Sequence, residues 1–290
     1  MEYVLHVMVM VCIYITLAVA LDLLAGQTGI VSVAHAAFYG LGAYTSALLA
    51  VRWGVPFPLG IVCGMLVATL ASFAVSLTSL RLHNDYFVIA TFGFQMITFS
   101  ILNNWMAVTE GPVGIADIPK PSLLGSTISS PIGYVVLASV LAGIAYLIVN
   151  AIASSPFGRV LRAIREDEVF TESLGKNTFK FKITVFALAA ALAASAGSFY
   201  AHYVTFIDPT SFTVMESILV LSMVIIGGAG SRRGPLIGAA ILVILPEVLR
   251  FIGLPSSVAA NTQQIIYGGL LVAMMMFRPR GLVGRYGFGR

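Results

Sequence analysis

The chain has 290 residues, of which 59% are hydrophobic and only 10% charged. A soluble domain carries roughly a quarter charged residues, so this composition and a mean hydropathy of +0.97 point to a membrane protein. Lys and Arg number 16 against 12 Asp and Glu, a formal net charge of +4; they flank apolar runs instead of building a basic domain, which argues against nucleic-acid binding.

The first 24 residues lack a basic start and a small-residue cleavage site, so they read as a retained span and not a removed signal peptide. A span needs about 20 apolar residues. Runs of that kind cover 4–24, 31–51, 57–80, 84–105, 131–152, 183–206, 215–231 and 235–252, with a ninth at 262–278. Gly-rich stretches at 26–42 and 227–238 interrupt the pattern. Irregular backbone at membrane depth survives only inside protein or along a cavity, so both stretches are expected in the interior. The expected fold is an all-α polytopic membrane bundle of eight to nine spans, some broken or re-entrant, with room for two related halves. Cys12 and Cys63 lie inside apolar runs and read as small buried hydrophobes.

Around the first Gly-rich stretch, Gln27, Ser32, His35, Tyr39, Tyr44 and Thr45 form a polar scatter, and His35 and Tyr39 share a helical face. Near the fourth run, Asn84, Asp85, Tyr86, Thr91 and Gln95 are similar. Two readings stand for these groups: hydrogen-bonded packing, or a face lining a pathway. Asp85, four residues after Arg81, reads as half of an ion pair at a span end. The loop at 106–130 is rich in Pro, Gly and Ser and too short for a domain. Small residues at helical spacing (Gly40, Ala43 and Ala47; Ala189, Ala193 and Gly197; Gly234 and Gly238) allow close helix approach.

The longest polar segment is 154–182. Ser154 or Ser155 caps a helix with Pro156 at its first position, and Leu174-Gly175 is expected to close it. Phe157, Val160, Leu161 and Ile164 fall on one face, and Arg159, Arg162 and Glu166 on another. Gly158 and Ala163 interrupt the apolar face and would let a partner surface sit close. Arg159, Arg162, Arg165, Lys176, Lys180 and Lys182 make this loop cytoplasmic by the positive-inside rule. Alternation from there, with Arg81, the Arg232-Arg233 pair and Arg278, Arg280, Arg285 and Arg290 on the same side, puts the C-terminus inside. It leaves Arg52, the 106–130 loop, the 253–261 turn and the N-terminus outside.

Absent motifs narrow the class. There is no G-x-x-x-x-G-K-[ST] phosphate loop, no H-E-x-x-H and no G-x-S-x-G. The four histidines, His6, His35, His83 and His202, are scattered, so neither a metal site nor a cofactor is expected. Acidic groups within spans are few: Asp22, Glu216, and Glu247, which Arg250 can pair on its own helix. That scarcity argues against an ion-coupled carrier.

Several stretches together resemble the permease subunits of ABC importers for branched-chain amino acids, the M-type (LivM-like) permeases, with urea and short-amide permeases as relatives. They are GQTGIVSVAHAAFYGLGAYTSALL (26–49), RLHNDYFVIATFGF (81–94), GPVGIADIPKP (111–121), SPFGRVLRAIREDEVFTESLGKN (155–177), AGSFYAHYVTFIDPTSF (196–212), IIGGAGSRRGPLIGAAIL (225–242) and MMFRPRGLVG (275–284). The resemblance implies one transmembrane permease domain over 1–290 in a bacterial inner membrane, without catalysis of its own. It implies a second homologous permease subunit, two cytoplasmic ATP-binding subunits, a periplasmic solute-binding protein, surrounding membrane lipid and a small-molecule solute moved by alternating access. Phe157, Gly158, Arg159, Arg162, Ala163, Ile164, Arg165 and Glu166 would form the helix that couples to the ATPase. Gln27, Ser32, His35, Tyr39, Thr91 and Gln95 are the candidates for lining the pathway. Branched-chain amino acids, urea and short amides all stay open as solutes, and an ion-coupled secondary carrier is the rival class.

Overall fold

Apolar runs end where caps, glycines and prolines end them, and the helices follow. The computed structural model describes residues 2–79, 84–123, 126–250, 268–269, 271–274, 276–278 and 281–283. Eleven helices follow in order among these: α1 (Glu2–Thr28), α2 (His35–Trp53), α3 (Phe57–Ser79), α4 (Asn84–Asn104), α5 (Met106–Thr109), α6 (Pro131–Ser154), α7 (Pro156–Glu166), α8 (Glu168–Ser173), α9 (Thr178–Val204), α10 (Val214–Gly227) and α11 (Gly234–Arg250). Arg81, the side chains of Asp85 and Arg250, the 253–261 turn, much of the ninth run, and Arg280, Arg285 and Arg290 lie outside the described residues.

Among the described residues, five helices are long and apolar enough to cross a membrane: α1, α3, α4 from Tyr86, α6 and α9. The expected seventh run is shorter: α10 has 14 residues, about 21 Å of helix, against a hydrocarbon core of about 30 Å. It meets α11, described as far as Arg250, at the second Gly-rich stretch. The shortfall of α10 falls where the glycines break the pattern.

α9 is the most buried of the five spans, and α1, α2 and α3 pack around it. In lipid there is no hydrophobic drive between helices, so close van der Waals packing has to hold them. Small residues provide it: Ala189, Ala193, Ala194 and Gly197 of α9 are buried. A Cβ on Gly42 would overlap the Ala194 carbonyl oxygen, and one on Gly197 would overlap that of Tyr39. The expected close approach is thus real and lies between α2 and α9. Gly238 presses on the Met223 carbonyl in the same way where α11 meets α10.

The two ends of the bundle differ. One carries the 105–130 loop, which contains α5, a 3-10 turn (Gly111–Val113) and a minimal hairpin of Ser122–Leu123 with Ser126–Thr127. Ile115 and Ile207 exchange backbone hydrogen bonds there, and Arg52 donates to the Ala107 and Val108 carbonyls. Buried His202 fastens the loop. Its Nδ1 lies 2.7 Å from the Pro119 carbonyl, which only accepts, so Nδ1 carries the proton and Nε2 takes the Ser46 hydroxyl at 2.9 Å. The other end carries α7, α8 and the 228–233 turn.

Gly197→Ala should lower the stability of the detergent-solubilised protein by about 1–3 kcal/mol through overpacking. Gly143→Ala, whose Cβ would meet nothing within 4 Å, should leave thermal unfolding unchanged or raised.

Candidate functional site

The polar segment folds as two helices. Ser155, not Ser154, caps α7: its hydroxyl accepts the Gly158 N–H at 3.3 Å, and Pro156 occupies the first turn. The single helix expected as far as Leu174-Gly175 breaks at Asp167. The Asp167 carboxylate accepts the Phe170 N–H at 2.9 Å, which starts α8 as a new helix. Gly175, at φ +78°, closes α8 as expected. α8 is tied to α9: Lys182 Nζ lies 2.5 Å from the Glu168 carboxylate, and the Thr178 hydroxyl donates to Glu172 at 2.5 Å. Phe157 of α7 packs on Phe181 of α9, ring centroids 4.9 Å apart.

The faces of α7 differ from the reading that leaves its apolar side open to a partner. Gly158, Leu161 and Ile164 are buried in the chain's own bundle, and Gly158 presses on the Ile152 and Ala153 carbonyls at the end of α6. Arg162 and Arg165 also turn inward. Arg162 Nη1 donates to the Ala153 carbonyl at 2.8 Å and to Gln27 Oε1 at 3.2 Å, and Arg165 Nη1 donates to the Gly26 carbonyl. Arg159, Ala163 and Glu166 are exposed, and so are apolar Val169 (77%), Phe170 (61%) and Leu174 (64%) on and after α8. The outward surface is therefore a mixed strip on α7 continued by an apolar knob on α8.

Under α7, three elements cross. Asp22 of α1, 4% exposed, accepts the Gly230 N–H at 2.7 Å. A Cβ on Gly26 would overlap both the Asp22 carboxylate and the Gly230 nitrogen. Gly230, at φ +74°, would bring a Cβ within 2.8 Å of the Gly26 carbonyl oxygen and 2.9 Å of Arg165 Nη1. Asp22 and Gln27 also line a cavity of about 20 Å³ with Asn150 and Ser231. The turn is held from its other side by Leu282 and Val283, whose N–H groups donate to the Ile226 and Gly227 carbonyls.

The remaining candidates for lining the pathway gather at the start of α2. This helix begins without a capping side chain of its own. Other helices supply the acceptors instead: Thr91 of α4 takes the Val33 N–H at 3.2 Å, and Ser217 of α10 takes the Ala36 N–H at 2.8 Å. Ser217 donates onward to Gln95 Oε1 at 3.4 Å, Gln95 Nε2 donates to the Phe212 carbonyl at 2.8 Å, and Ser32 accepts the Ala34 N–H at 3.3 Å. Tyr39 sits among aromatic rings, 5.1 Å from Phe212 and 5.5 Å from Tyr200. His35 is 2% exposed, and its Nε2 has no hydrogen-bond partner among the described residues. The structure thus brings together Ser32, His35, Thr91 and Gln95, and separates Gln27, which belongs to the α7 crossing. Ser217 and the role of Asp22 escaped sequence reasoning, while Gly230 fell within the Gly-rich 227–238 stretch expected in the interior. Asp22 left a signal as an acidic residue inside an apolar run.

The first break is the extended start of a crossing that α2 completes, with Arg52 at the far end. Gly29 lies against Arg165, while Ala36 bonds to Ser217 near the opposite end of α10 from Gly227. Ser217 to Gly227 spans about 15 Å of helix, and the seven residues from Gly29 to Ala36 reach that far when extended. The backbone therefore climbs back into the bundle before α2 starts.

Residues 3–275 match the family described as branched-chain amino acid transport system / permease component. The chain is 34% identical to the high-affinity branched-chain amino acid transport system permease protein LivM of Salmonella typhimurium, over 94% of this chain and 68% of that protein. It is equally similar to LivM of Escherichia coli K12, over 93% and 68%. It is 26% identical to LivH of Salmonella typhimurium, over 94% of this chain and 91% of that one. No solved structure matches.

Ser217→Ala should leave the Ala36 N–H buried and unpaired and lower stability by about 1–3 kcal/mol. Ser217→Thr, which keeps the hydroxyl, should lose less in the same thermal unfolding measurement.

Proposed function

The chain belongs to the family of branched-chain amino acid transport system permease components, and from that membership we infer that it is the membrane subunit of an ATP-driven importer of these amino acids. Family membership over nearly the whole chain carries this reading. The chain supplies the pathway and no ATP chemistry. Two cytoplasmic ATP-binding subunits drive it, a second homologous permease completes the membrane part, and a periplasmic binding protein delivers the solute. The solute path runs by the 29–36 break, where Thr91, Gln95 and Ser217 supply polar groups among apolar helices.

The end with α7, α8 and the 228–233 turn faces the cytoplasm of a bacterial cell. Arg159, Lys176, Lys180, Arg232 and Arg233 stand there, against Arg52 and Lys120 at the other end, which supports this orientation. It puts α7 and α8 where an ATP-binding subunit meets the permease. The contact is made by the exposed strip: Arg159, Ala163 and Glu166 of α7, then Val169, Phe170 and Leu174. An exposed apolar knob in a polar loop is the kind of surface that a partner covers. Phe157, Gly158, Arg162, Ile164 and Arg165 join the strip to the spans.

The test is import of labelled leucine, isoleucine and valine into proteoliposomes containing the full set of subunits. Import should require ATP and should stop when any one subunit is left out. Import of urea but not leucine would overturn the substrate, and gradient-driven import by the chain alone would overturn the ATP drive. Phe170→Asp should sharply reduce co-purification of the ATP-binding subunit while changing permease stability by less than about 0.5 kcal/mol, as for other exposed sites.

A further inference from the structure

α1 ends without a basic residue in its last turn. The last carbonyls of a helix lack intrahelical partners, and its C-terminus favours a positive charge. Both needs are met from elsewhere in the chain. The Arg165 guanidinium of α7 donates to the Gly26 carbonyl, and its stem lies against Gly29. Asp22, one turn before Gly26 on the same helical face, holds the Gly230 N–H. Gly26 and Gly230 meet backbone to backbone, with no space for a Cβ on either. An apolar contact such as that of Leu161 can slide by a few tenths of an ångström. A charged donor on a carbonyl and a carboxylate on an amide are directional, and the glycines in contact between them leave little slack, so larger shifts carry their partners along.

This crossing lies where the two broken segments begin. From Gly29 the chain climbs to Ala36 and the Ser217–Gln95 pair. From Gly230 it leads into α10 on one side and α11 on the other, through Ser231, which donates to the Gly228 carbonyl and accepts the Gly234 N–H. A displacement of α7 therefore reaches both breaks through one joint.

We propose that Arg165 and Asp22 are positioning residues of the transport cycle. Arg165 passes movement of α7 to the end of α1, and Asp22 passes it on to the 228–231 turn, so that both broken segments shift together. This rests on the reading that α7 and α8 meet the ATP-binding subunits.

The measurement is solute imported per ATP hydrolysed by the complete reconstituted complex. Arg165→Ala and Asp22→Ala should assemble and hydrolyse ATP, with the ratio reduced about tenfold, a size usual for coupling between distant sites. Asp22→Asn keeps an oxygen for the Gly230 N–H and should hold the ratio near wild type. Arg165→Lys keeps a charged donor with a narrower reach and should lie between wild type and alanine. A purely structural role would lower the amount of complex and leave the ratio alone, and that result overturns the proposal. If either alanine variant fails to assemble, Arg165→Lys decides: a reduced ratio supports the proposal and a wild-type ratio overturns it. If the wild-type complex imports without ATP, the underlying reading fails instead, whatever the variants do.

Discussion

The carboxylate of Asp22 on the Gly230 amide is the contact that the broken half of this structure depends on. A buried N–H or C=O without a partner is costly, so a chain that interrupts its helices within a bundle must satisfy each freed group from inside it. The bundle does so twice. At 228–231 the acceptors are Asp22 of α1 and Ser231 of the turn itself. At 29–36 they are Thr91 and Ser217, from α4 and α10. Each break is therefore held by side chains from other helices. Its geometry is set by how those helices stand and not by local preference.

The intact half follows a different rule. α2 and α9 approach until a single methyl group would collide with a carbonyl, at Gly42 and at Gly197. His202 then locks the 105–130 loop onto that pair through Ser46 and Pro119. One region is a rigid post of small residues, and the other is a set of shorter helices joined by hydrogen bonds. Movement is easier to accommodate in the second, because hydrogen-bonded turns can exchange partners while interlocked backbones cannot move apart without losing their packing.

Much of this was legible in the sequence. The limits of α1, α3, α4 and α6 fall within a few residues of the apolar runs, because composition and caps decide them. Pro156 and Gly175 marked the edges of the polar segment for the same local reasons. Asp167 was harder: an aspartate inside an amphipathic period looks like a helix residue until its side chain caps the next turn. The faces of α7 were legible as faces but not in direction. Periodicity groups Leu161 with Ile164 and Arg162 with Arg159, but it says nothing about the carbonyls of Ala153 and Gly26 that draw two arginines inward. Likewise Thr91 and Gln95 stood out as polar residues. Their job of capping a helix that begins mid-bundle depends on Val33, Ala36 and Phe212, which no pattern ties to them.

The inward arginines also bear on the proposed role of α7 as the part that meets the ATP-binding subunit. A helix that only presented a charged face to a motor would need its arginines in solvent, and it would then touch the spans through apolar contacts alone. Here Arg162 grips the end of α6 and Gln27, Arg165 grips the end of α1, and apolar Val169, Phe170 and Leu174 are left outside. Directional, charge-assisted bonds lie on the bundle side, and the apolar surface of α8 lies on the solvent side. That suits a part that must release and re-engage a partner without losing its place in the bundle. An apolar surface can separate without stranding a charge, while the bonds to backbone carbonyls keep α7 in register with α1 throughout.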